Sequence, residues 1–183
     1  MIASPFVKLS KATEKKWRII LLVFVLIFMV LMRYLDAPLK NASCTNGIIS
    51  FELAKHIETS KAILNSWDEQ AKKSVYLSLG FDFIFLIIYA TFIGFLLHKL
   101  TMYFQENSIF SNLGKLLIWL VFLAAFLDSI ENIALLQLLS GNLNQVWSTI
   151  AYYFALTKFA ILLICLVYLI LGWITVGIKR FVH

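Results

Sequence analysis

Four long apolar stretches, at 17–35, 75–97, 116–139 and 146–178, decide the architecture of this chain before any other feature does. Each is long enough to cross a hydrocarbon layer about 30 Å thick at about 1.5 Å per residue, and in such a layer a lone segment satisfies its own backbone only as a helix. The expected fold is an all-α transmembrane four-helix bundle. Only 14% of the 183 residues are charged and 61% are hydrophobic, whereas a soluble domain carries about 25% charged residues. The length fits one membrane domain over 1–183 with a single sizeable loop. Trp17, Tyr34, Tyr76, Trp147, Tyr152 and Trp173 fall near the segment ends, where aromatic rings settle at headgroup depth.

A formal charge of +6 raises the question of nucleic acid. The basic residues answer it by their places, which are the membrane edges and not a stripe interleaved with aromatics, so the expected surroundings are a lipid bilayer and no nucleic acid. Lys8, Lys11, Lys15, Lys16 and Arg18, then Lys99 and Lys115, then Lys179 and Arg180 share one side, while the loop between the first two spans is nearly balanced. The positive-inside rule puts both termini in the cytoplasm. The first span has the outline of a signal peptide but a poor cleavage site, and is read as retained. Asn41-Ala42-Ser43 has the form of a glycosylation sequon, relevant only in a eukaryotic secretory setting. Cys44 and Cys165 have no CxxC or CxxH neighbours, so no metal and no cofactor is assigned.

The first extracytoplasmic loop, 36–74, is too long to be a plain connection. Leu53, Ile57, Leu64, Trp67 and Ala71 recur at helical spacing behind Asn46 or Ser50 as a cap, which predicts an amphipathic helix over about 50–72. It is expected on the membrane surface or across the bundle mouth, anchored by Trp67. Glu52 and His56 would share a face one turn apart, as a surface pair; two groups do not make a metal site.

The first span is featureless from Ile19 to Met32, so it is expected to face lipid, while the other three bring polar groups inward. Ser78, Asp82 and Tyr89 form one stripe, and Asp128, Glu131 and Asn132 another above Ala124 and Ala125. Lys158 lies in the fourth span beside Thr157. Counted from the outer ends at about 1.5 Å per residue, Asp82 lies at roughly 10 Å, Glu131 and Asn132 at roughly 11 to 13 Å, and Asp128 and Lys158 at roughly 18 Å. The expected arrangement is a central Asp128–Lys158 ion pair near Tyr89, below an outer tier of Asp82, Glu131 and Asn132. Three carboxylates against one ammonium leave surplus negative charge, to be balanced by a proton, a cation, a cationic ligand or Arg33.

Phe51-Glu52-Leu53-Ala54 before a loop helix ending near Trp67, Asp82-Phe83-Ile84-Phe85 with Tyr89, and Asp128-Ser129-Ile130-Glu131-Asn132 together resemble a group of uncharacterised four-span bacterial membrane proteins. The resemblance covers about 51–158. It implies the inner membrane of a bacterial cell and no activity, and it lends Glu52 interest as a group hanging over the bundle mouth above Asp82.

Three functions compete. The first is binding or translocation of a proton, a cation, or a small cationic or lipid-like ligand, in a cavity open to the outside and lined by Asp82, Glu131, Asn132 and Tyr89. A transporter of this size would be a homo-oligomer. The second is an enzyme acting on a lipid or isoprenoid, with Asp128 or Glu131 as acid or base and Lys158 stabilising negative charge. Acyl transfer by a serine triad is disfavoured because His56, His98 and His183 lie outside the polar cluster. The third is a structural subunit of a membrane complex, whose charged stripes would face outward toward a partner.

Overall fold

The computed structural model describes residues 3–7, 10–106 and 108–182. Lys8 and His183, and the side chains of Lys11, Lys179 and Arg180, lie outside the described residues. The chain is helical: α1 (Lys11–Asp36), α2 (Ile48–Glu52), α3 (Ile57–Ser66), α4 (Glu69–Thr101), α5 (Ile109–Leu139) and α6 (Gln145–Val182), with a 3-10 turn at Ala37–Leu39. Of these, α1, α4, α5 and α6 are long and apolar enough to cross a membrane. They are the four expected spans, and the protein is a multi-pass membrane protein.

Short polar side chains set where three of these helices begin. The Ser10 hydroxyl accepts from the Thr13 amide ahead of α1, Asp68 from Ala71 ahead of α4, and Ser108 from Ser111 ahead of α5. Each satisfies one of the amides a helix start leaves without a partner. The Asp68 cap starts α4 before the apolar run does, so residues assigned by periodicity to the end of the loop helix belong to its first turn.

The loop departs from the single helix expected over 50–72. An amphipathic helix is there, α3, burying Ile57, Ser60 and Ile63, but the chain breaks between α2 and α3. Gln145, at the start of α6, holds the break open: its Oε1 accepts from the Ile57 amide at 2.9 Å and its Nε2 donates to the Lys55 carbonyl at 2.8 Å. One turn on, the hydroxyls of Ser60 and Ser148 meet at 2.8 Å. Trp67 is not a surface anchor. It is buried, edge-on to Phe51 at 5.2 Å, and its indole N–H donates to the Leu39 carbonyl at 3.0 Å. Trp67, Phe51, Leu39 and Cys44 join Val75, Leu135 and Ala151 in one core, so the loop is a folded cap on the end of the bundle.

Within the membrane layer α4, α5 and α6 pack together, while α1 packs chiefly on α4. The apolar stretch of α1 is 6% buried, against 39% for α5. One of its ties to α4 is Phe28, stacked on Phe85 at 5.7 Å. The expectation of a peripheral first span therefore holds. At the end away from the cap, Phe6 inserts beside Phe95, with ring centroids 4.2 Å apart, and closes an apolar core containing Leu97, Ile118, Val121 and Cys165.

Candidate acidic site beneath the cap

On α5, spacings of three and four residues put Asp128, Glu131 and Asn132 on one helical face. That face turns inward, leaving Asp128 4% and Glu131 0% exposed. From α6, Lys158 reaches between them: its Nζ donates to Asp128 Oδ1 at 2.6 Å and lies 2.9 Å from Glu131 Oε2. The other Asp128 oxygen accepts from the Tyr89 hydroxyl of α4 at 2.9 Å. The expected central pair, with Tyr89 beside it, is present.

Glu131 was expected in the outer tier and is found with the central pair. Rise along a helix sets the level of a Cα atom, whereas the four-carbon stem of a lysine carries its ammonium across a helical turn. The outer tier is therefore Asp82 and Asn132 alone, joined by an amide-to-Oδ2 hydrogen bond of 2.6 Å. Neither Glu131 oxygen has a directed hydrogen bond; the contact with Lys158 is ionic.

Glu52, at the last turn of α2, enters from the cap. It does not share a helical face with His56, because the helix ends at Glu52 and His56 begins the next one, exposed. Glu52 is buried, with Oε2 3.9 Å from Lys158 Nζ and without a hydrogen-bond donor. Burial pushes its carboxyl up to about 7; Lys158 pulls it down, and Asp128, Asp82 and Asp36 raise it further. Helical spacing made Glu52 a surface partner of His56, and only the resemblance hung it over the bundle mouth, since its approach to the membrane layer depends on the fold of the cap.

A cleft of about 680 Å³ leads to the site between α1, α4 and the cap. Glu52, Asp82 and Asn132 line it; Glu131 and Tyr89, expected on its wall, stand behind these groups. Met32, Leu79 and Phe85 make one side apolar, and Arg33, Asp36 and Lys40 rim the outer end. Lys40 pairs with Asp36 at 3.3 Å, and Asp36 also accepts from the Ile48 amide at 2.7 Å. Arg33 has no ion pair among the described residues and does not reach the acids.

Three carboxylates thus surround one ammonium, and a fourth, Asp82, stands beside them on Asn132. Away from the cap the site ends against Leu86, Ala90, Phe122, Ala125 and Leu162, and beyond them against the apolar core closed by Phe6. Among the described residues, no group of three His, Cys, Asp or Glu could hold a metal ion. The chemistry open to such a site is to accept hydrogen bonds and positive charge. No family model, curated protein or solved structure matches this chain.

Proposed function

We propose that the protein is a binding protein of the bacterial inner membrane, with both termini cytoplasmic, whose acidic site takes a small cationic or lipid-like ligand from the side of the cap. One observation carries this reading: among the described residues the buried Oε2 of Glu52, a residue of the cleft wall, has no hydrogen-bond donor, in a site with more carboxylates than cations. Unpartnered buried acceptors cost about 1 to 3 kcal/mol each, more when charged, so a ligand that brings donors and positive charge gains that energy on binding.

The same geometry weighs between the alternatives. Translocation asks for a polar route to the far side, and the apolar core below Tyr89 offers none. A subunit using these charges to meet a partner would turn them outward, and here they turn in. An acid/base enzyme would want Lys158 free to meet a developing negative charge, but the ammonium is already held among Asp128, Glu131 and Glu52.

The test is equilibrium binding of radiolabelled n-octylammonium to the purified full chain, with n-octyl phosphate and n-octanol as matched controls. Saturable binding of the ammonium compound alone is expected, weakened about tenfold in Asp82→Asn and further when Glu52→Gln is added. Equal binding of all three compounds, or binding unchanged in the double variant, would refute the proposal.

A further inference from the structure

We infer that the ligand is a membrane amphiphile whose head carries both a primary ammonium and a phosphate, drawn sideways from the bilayer along the flank of α1, with Asp82 and Glu52 receiving the ammonium and Arg33 the phosphate. This rests on the binding reading above and narrows it.

The donor count selects the ammonium. Glu52 is 8% exposed, lines the cleft, and its Oε2 lacks a donor. Asp82 Oδ2 accepts from the Asn132 amide, and among the described residues no donor reaches its Oδ1. A primary ammonium brings three N–H donors, while a quaternary trimethylammonium brings charge and none. An aminoethyl head therefore satisfies these oxygens and a choline head does not.

Arg33 selects the phosphate. Of the two cations at the rim, Lys40 is committed to Asp36, which leaves the exposed guanidinium of Arg33. Its planar fork is suited to a phosphate. The levels agree with this order: the Ser78 hydroxyl meets Met32 Sδ at 3.5 Å, fixing α1 against α4. Asp82 lies one turn of α4, about 6 Å, deeper than Ser78, and Arg33 one residue outward from Met32. An ethanolamine spacer below a phosphate spans the interval once the long Arg33 side chain leans inward.

The route follows from how α1 is held. It rests chiefly on α4, so the cleft is not walled by a further helix on its open flank, and Met32, Leu79 and Phe85 give acyl chains an apolar surface on the way out. A soluble ligand has no use for that wall.

The test reconstitutes the full chain in phosphatidylcholine nanodiscs doped with equal parts phosphatidylethanolamine and phosphatidylglycerol, and reads retained lipids by native mass spectrometry. Phosphatidylethanolamine should be enriched about tenfold over the other two, the equivalent of one charge-assisted hydrogen bond. Arg33→Gln, an exposed change that spares the fold, should lower the amount of phosphatidylethanolamine retained about tenfold while its preference over phosphatidylcholine persists, and should keep n-octylammonium binding. Asp82→Asn should remove the enrichment and weaken n-octylammonium binding about tenfold. No enrichment while n-octylammonium still binds through Asp82 overturns the lipid and leaves the binding reading standing; loss of both in the wild type overturns both. Displacement of the lipid by equimolar soluble phosphoethanolamine would overturn the membrane route.

Discussion

Lys158 is the residue on which the interior depends. Its ammonium sits within 4 Å of three carboxylates from two other elements, and removing one partner of a buried ionic cluster costs about 3 to 5 kcal/mol because the remaining charges lose compensation. Lys158→Met is expected to lose stability on that scale in detergent unfolding. Adding Asp128→Asn and Glu131→Gln should restore much of it, since the groups left behind are then neutral. Unfolding midpoints unchanged in the single variant would show the acids to be compensated by something else. At this scale the sequence was legible where depth alone decides: Asp128 and Lys158 share a level on neighbouring helices, and so they pair. It misled where side-chain reach decides, as for Glu131, one turn from Asp128 and still within range of the same ammonium.

Among the elements, the four spans could be read from length and apolarity, because a helix in lipid needs no partner to satisfy its backbone. The break between α2 and α3 could not. The stretch 53–56 contains no glycine or proline, and the groups that satisfy its exposed backbone come from Gln145, some 90 residues along the chain. The same break turns Glu52 inward, and so gives the docking of α2 a pH dependence. Glu52 faces Lys158 from α6, Asp128 and Glu131 from α5, Asp82 from α4 and Asp36 from the end of α1. Its carboxyl titrates at about 7 in the fold against 4.5 unperturbed, so the folded state holds the proton more tightly than the unfolded chain does. Docking of the cap is then strongest below the unperturbed value and weakens as pH rises through about 7. Cys44, buried in the cap with its thiol donating to the Gly47 carbonyl at 2.9 Å, reports this opening. Its alkylation should accelerate between about pH 5 and pH 8 more in the wild type than in Glu52→Gln, which removes the titration while thiolate chemistry stays common to both. Parallel rate profiles would contradict the latch.

For the molecule as a whole, the polar half beneath the cap and the apolar half beyond Tyr89 have different consequences. A path for protons needs groups within hydrogen-bond reach of one another from face to face, and the chain of Glu52, Lys158, Asp128 and Tyr89 ends against Leu86, Ala90 and Phe122. Proteoliposomes loaded with a pH-sensitive dye and given a pH step should leak no faster than empty vesicles; faster, protein-dependent acidification would mean that the apolar half opens. The sequence foretold a shared polar interior but not its closure at one end, because closure is set by Phe6 folding back from the N-terminal segment and by side chains that only packing brings into one layer. On the proposed reading, a vestibule that opens beside the cap exchanges its contents with that side of the bilayer. Whatever occupies it equilibrates with that leaflet and is blind to the other, so occupancy would register lipid asymmetry rather than total lipid, a difference that symmetric vesicles would hide.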